Sequence, residues 1–208
     1  SVTGSDELGV VAGTNDGTIQ NLTIENASID GNNDLGVAVG TNDGTVQNVS
    51  GSGTVSGNDR IGGLVGTVNS GGVVTEATAT AAANGSQSVG GLVGNNNGAL
   101  SDAYWDRGAT NQTGATGSGT PPGATGYGTV GDARALEMQG RAPTQFMAAL
   151  NYTSPWKLTS TYPIFQRESA TSGSLLATVD AVEATGTTGV QTEQVTLKIN
   201  ATINGSRV

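Results

Sequence analysis

The sequence contains no cysteine and no histidine. Without cysteine there can be no disulfide, thiolate metal site or thiol nucleophile. Without histidine the commonest general base and metal ligand is missing. Aromatic residues are only 4% of the 208 residues. Few side chains can therefore fill a wide interior, and a core of Val, Leu, Ile and Ala needs short, regularly spaced strands. Basic residues are also scarce, 8 against 17 acidic ones for a formal net charge of −9, with Lys157 and Lys198 the two lysines. Nucleic-acid affinity rests on Lys and Arg neutralising phosphates, so this balance argues against nucleic acid and against an anionic membrane surface as partners. It fits a salty, halophilic setting. No run of about twenty apolar residues is long enough to insert into a membrane, and a chain beginning at Ser1 reads as a mature or trimmed secreted form.

What the sequence does have is glycine, 34 residues, arranged in a repeat. LGVVAGTNDGTIQNL starts at Leu8, LGVAVGTNDGTVQNV at Leu35, IGGLVGTVNSGGVVTEA at Ile61 and VGGLVGNNNGALSDA at Val89, a period of 26 to 28 residues. Leu8, Leu35, Ile61 and Val89 open the units, and Gly13, Gly40, Gly66 and Gly94 close the first apolar run. Ile19, Val46, Val74 and Leu100 restart it, and Leu22, Val49, Ala77 and Ala103 follow three residues later. The third unit carries one extra turn residue at Gly71-Gly72. Gly and Thr at this density oppose helix, and one unit alone cannot bury its apolar face, so the units must stack. The fold predicted is all-β: a parallel β-solenoid of about four coils, right- or left-handed, over residues 1–103. The pairs Gly62-Gly63 and Gly90-Gly91 mark a sharp corner or a close approach of coils.

The segments GGLVG (62–66) and GGLVGNNNGAL (90–100) resemble the GLUG motif of secreted bacterial and archaeal surface proteins. Tyr104-Trp105-Asp106 resembles the YWD segment that follows the last unit in that family, and Met138, Phe146, Trp156 and Tyr162-Pro163 resemble its closing module. The resemblance implies an adhesin-like, non-catalytic surface protein and brings no catalytic residue with it.

Residues 104–167 read as a capping module that lids one end of the solenoid. Within it, an extended loop spans 107–131, a short helix runs from an Asp132 N-cap to Gly140, and a second covers 143–150. Trp105 and Trp156 read as packing residues, with sugar stacking as the alternative. Residues 168–208 read as C-terminal β-strands, in which Val195, Leu197, Ile199, Ala201 and Ile203 alternate with polar residues. That is the pattern of a half-buried strand. Such a strand can complete a hairpin on the solenoid, open an immunoglobulin-like domain, or pair with a neighbouring molecule as an assembly strand.

Candidate sites are few. Eight Asn-X-Ser/Thr sequons, at Asn21, Asn26, Asn48, Asn84, Asn111, Asn151, Asn200 and Asn204, are glycosylation candidates. Asp16 and Asp43 share a column, and stacking would set their carboxylates about 5 Å apart, near the spacing of a retaining glycosidase pair. Asn-Asp-Gly is also ordinary turn chemistry, and the later units lack the acid, so no catalytic residue is assigned. Asp30, Asn32, Asn33, Asp34 and Asp59 gather oxygens that Ca²⁺ could use, although their spacing matches no calcium loop. No cofactor or metal ligand is therefore assigned. Asn15, Asn42 and Asn96 read as a stacked amide ladder. The functional expectation is a non-catalytic extracellular structural or adhesive protein of the cell surface. Self-association, other surface proteins or glycans would be its partners, and the C-terminal strand would allow a head-to-tail filament. A carbohydrate-binding adhesin is the second reading and a polysaccharide-cleaving β-helix enzyme the third.

Overall fold

Every apolar column named above runs through the molecule as a line of in-register, parallel-paired residues. Leu8 pairs with Leu35, Leu35 with Ile61, and Ile61 with Val89. Ile19, Val46, Val74 and Leu100 form a second line, and Leu22, Val49, Ala77 and Ala103 a third. The computed structural model describes residues 1–120, 123–132, 135–140, 142–153 and 156–165. The chain divides into two units, Ser1–Arg167 and Glu168–Val208. The second unit, with Val195, Leu197, Ile199, Ala201, Ile203, Asn200 and Asn204, lies outside the described residues.

A short β1 (Val2–Thr3) precedes the first rung, which is built from β2 (Asp6–Leu8), β3 (Ala12–Asn15) and β4 (Thr18–Asp30). The second rung has β5 (Asn33–Leu35), β6 (Val39–Asn42) and β7 (Thr45–Ser56). The third has β8 (Asp59–Gly62), β9 (Val65–Val68), β10 (Val73–Ala79) and β11 (Ala82–Asn84), and the fourth β12 (Gln87–Gly90), β13 (Val93–Asn96) and β14 (Ala99–Asp106). Equivalent strands pair in parallel into three sheets, β2-β5-β8-β12, β3-β6-β9-β13 and β4-β7-β10-β14. The inward residues, among them Leu35, Val46, Ile61, Leu64, Val74 and Leu92, are fully buried. Each such aliphatic side chain contributes about 1.5–3 kcal/mol.

The stack does not stop at residue 103. β15 (Thr116–Gly119) pairs with β13 and β16 (Gly123–Tyr127) with β14, so much of the stretch expected to be a loop is a fifth, partial rung. It lacks large apolar residues, which hid it. A parallel rung needs backbone in register and small inward groups, and Ala115 and Ala124 supply those groups against the core.

Two corners of each rung use left-handed backbone at residues that are not glycine. Glu7, Asp34, Arg60 and Ser88 form one column, with φ of 54°, 55°, 56° and 46°. Asn21, Asn48, Glu76 and Asp102 form the other, with φ of 62°, 53°, 50° and 48°. None of the eight is β-branched or aromatic, the types for which this conformation is most strained. The first column explains the glycines. A Cβ on Gly40 would lie 2.3 Å from the backbone of Glu7, on Gly66 2.4 Å from Asp34, and on Gly94 2.3 Å from Arg60. Each rung's glycine thus receives the corner of the rung before it.

The paired glycines split in role. On Gly62 and Gly90 a Cβ would strike the carbonyls of Val65 and Val93 of their own rungs, and on Gly63 the carbonyl of Gly91 in the next rung. Gly91 instead makes room for the Trp105 indole, 2.3 Å from where its Cβ would be.

Residues 104–165 cover the end of the fourth rung through β15 and β16, and they also build a second apolar cluster apart from the solenoid core. Their cluster of Tyr104, Ala135, Met138, Met147, Leu150 and Trp156 packs against the outer flank of the large sheet. The described helical pieces there are α1 (Arg107–Thr110), a 3₁₀ turn at Leu136–Met138 and α2 (Pro143–Phe146), followed by the antiparallel pair β17 (Trp156–Lys157) and β18 (Ile164–Phe165). The described 3₁₀ turn starts after Ala135 and not at the expected Asp132 N-cap. Ala135 precedes the 3₁₀ turn and makes no side-chain cap, and α2 is shorter than the 143–150 expected.

Candidate functional site

Tyr104, Trp105 and Asp106 lie on consecutive positions of β14, and strand alternation sends them to different places. Tyr104 points out and joins the flank cluster, stacked on Tyr127 at 6.3 Å between ring centres. Trp105 points in, buried between Gly91 and Gly126, with its Nε1 donating to the Gln112 carbonyl at 3.1 Å and the Arg107 guanidinium 5.5 Å from its ring centre. Asp106 is fully buried. Its Oδ1 accepts from the Ala109 N–H at 3.0 Å and caps α1, while Oδ2 accepts from the Ala135 N–H at 2.6 Å and from the Tyr162 hydroxyl at 2.5 Å. One carboxylate therefore anchors the helix and two separate points of the flank module. In rung four α1 follows β14 where earlier rungs continue as strand, and Gln112 Nε2 donates to the Ala83 carbonyl at the edge of β11. Sequence reading placed the YWD segment but missed the role of Asp106. The signal present was the Asp at the end of a strand, three residues before the N–H it caps.

The module runs down the flank. Trp156, fully buried, donates from Nε1 to Asn48 Oδ1 at 3.2 Å, at the corner of the second rung. Farther down, Thr161, Tyr162 and Ile164 face Thr23, Ile24 and Ser52 across a polar groove that also takes in Glu25 and Asn26. Trp105 and Trp156 are both buried, so neither presents a face on which a sugar could stack.

The amide ladder is half formed. Asn15 Nδ2 donates to Asn42 Oδ1 at 2.7 Å, and Asn42 Nδ2 donates to the carbonyls of Gly44 and Val73. Val68 then occupies the column, paired with Asn42 below and Asn96 above. Asn96 Oδ1 is consequently buried without a hydrogen-bond partner. The valine was visible in the sequence, but its effect on the amide above it depends on the register.

The acidic corner is organised around a cation of the chain itself. Arg60 binds Asp34 through Nε and Nη2, both at 2.6 Å, and Asp59 through Nη1 at 2.6 Å. Thr67 Oγ1 also donates to Asp34 Oδ1 at 2.6 Å. These carboxylates converge on a guanidinium, and Asn33 Nδ2 is bound to Asp6. Among the described residues no three acidic side chains converge as a metal site would need. Asp16 and Asp43 sit in equivalent exposed turns, and Asp43 Oδ1 accepts from Asn69 Nδ2 at 3.0 Å.

The sequons differ in their surroundings. Asn21, Asn26, Asn84, Asn111 and Asn151 are exposed. Asn48 is half-buried, donates from Nδ2 to Asn21 Oδ1 at 3.2 Å and accepts from Trp156. Among the described residues no helix is long and apolar enough to cross a membrane.

The chain is similar to halomucin of Haloquadratum walsbyi. The two are 87% identical over 111 residues, which make up 53% of this chain and 1% of halomucin. No family model matches the chain, and the GLUG resemblance rests on the segments quoted above. No solved structure matches it either.

Proposed function

We propose that this chain is a non-catalytic structural module of an extracellular protein at the cell surface of a halophile. The similarity to halomucin carries this reading, since that name denotes a mucin-like protein and the source is Haloquadratum walsbyi. The solenoid supports a structural role. Its rungs are joined by parallel hydrogen bonding, and its aliphatic columns fill the interior. The excess of acidic residues supports the halophilic setting.

In its sharper form the proposal is adhesive and self-assembling. The first rung leaves Val10 and Val11 exposed at 46% and 39%, and an alternating strand at 195–203 from another copy could pair along that edge. The test compares the full chain with a form lacking residues 190–208 by electron microscopy in concentrated salt. Filaments from the full chain that vanish on truncation are expected, and filaments unchanged by the truncation would rule out the strand as the joint.

A further inference from the structure

The geometry points to Asn26 as an N-glycosylated residue whose saccharide lies in the groove between the large sheet and the flank module. Asn26 opens the sequon Asn26-Ala27-Ser28 and itself lines that groove. It sits at the irregularity between Ile24 and Ala27 where β4 departs from regular pairing with β7, with a φ of 55°. Its backbone N–H is tied to Ser52 Oγ at 3.2 Å, which fixes the corner, while its side chain is exposed. Asn48 is the contrast, because its amide is engaged with Asn21 and Trp156.

The groove has the chemistry of a saccharide seat. Hydroxyls of Ser52, Thr80 and Thr161 stand along it; those of Ser52 and Thr80 donate to the carbonyls of Ile24 and Gly51 and keep a lone pair able to accept from a sugar hydroxyl. Glu25 adds an exposed carboxylate able to take a charge-assisted hydrogen bond from a sugar hydroxyl. Tyr162 and Ile164 supply the apolar surface against which the C–H face of a pyranose packs. A saccharide tethered at Asn26 enters this groove at a high effective concentration, so weak contacts suffice to hold it. The inference goes beyond the structural role proposed above and does not depend on filament formation.

The test expresses the full chain in a halophilic archaeal host, alongside Asn26→Gln and Ser28→Ala. The second variant removes the sequon and leaves the asparagine at its left-handed corner. Peptide mass spectrometry is expected to find the saccharide on Asn26. Hydrogen exchange at 50–53 and 161–164 is expected to be about tenfold slower in the glycosylated protein than in Ser28→Ala. A bare Asn26, whatever the state of the other sequons, overturns the proposal. So does an occupied Asn26 with exchange along the groove equal to that of Ser28→Ala.

Discussion

Trp156 and Asn48 stand 108 residues apart in the sequence and are joined by a hydrogen bond of 3.2 Å. Asn48 is held in the left-handed conformation at a rung corner, and the buried indole fastens the flank module to that corner. The same bond, with the one to Asn21, uses the amide that a glycosyl transfer would need.

Asn48 is therefore expected to stay unmodified in the folded protein where exposed sequons such as Asn21 and Asn84 are occupied. Trp156→Ala should cost about 3–5 kcal/mol of stability by leaving a large cavity, read as a fall in the denaturant midpoint. Site mapping that found Asn48 glycosylated in protein with native stability would contradict this account of the corner.

The glycine column should be intolerant of a single methyl. Gly66→Ala sets its Cβ 2.4 Å from the Asp34 backbone, where neither neighbour is a flexible side chain. A loss of about 1–3 kcal/mol follows from overpacking of this kind. Gly17→Ala meets its nearest atom only at 3.9 Å, without positive φ, and should be close to neutral. Equal melting temperatures for the two variants would remove the close-approach explanation.

Removing the middle of the amide ladder should cost more than removing a surface amide. Asn42→Ala leaves Asn15 Nδ2 and the carbonyls of Gly44 and Val73 without this partner in buried or half-buried surroundings. About 1–3 kcal/mol is expected from the unmet polar groups. Asn97→Ala, at an exposed bend, is the control. A midpoint for Asn42→Ala within error of this control would show that the ladder contributes nothing.

Alkaline pH should detach the flank module. Burial pushes the phenols of Tyr104 and Tyr127 up, with nearby charge adding to it, and burial pushes Tyr152 up further still. An unfolded phenol ionises near pH ~10, so above that the unfolded chain releases protons that the folded chain keeps. The stabilisation is complete below the unfolded value and is lost as pH rises through the raised folded values. Melting temperature should fall from about pH 10 upward, with tyrosinate absorbance appearing as the fold opens. Ordinary tyrosine titration of the intact fold, with no loss of melting temperature, would refute this.

Much of the solenoid was legible because its determinants are local and recur. Leu8, Leu35, Ile61 and Val89 recur at nearly constant spacing, and a parallel rung puts each on the next. The fifth rung was not legible, because Thr116–Gly119 and Gly123–Tyr127 present almost no apolar side chain and are held by backbone pairing. The glycosylation sequons could be found by pattern, but their difference could not. Asn26 and Asn48 carry the same motif, and only the module folded against the sheet leaves one exposed and engages the other.

The sequence by itself determined the repeat, the parallel stack and the acidic surface, since each depends on side-chain type and spacing along the chain. The tertiary structure decided that the cluster around Trp156 lies on the flank, that Asp106 ties its module down, and that a groove forms beside Asn26. Those outcomes rest on contacts between residues far apart in the chain, which no periodicity encodes.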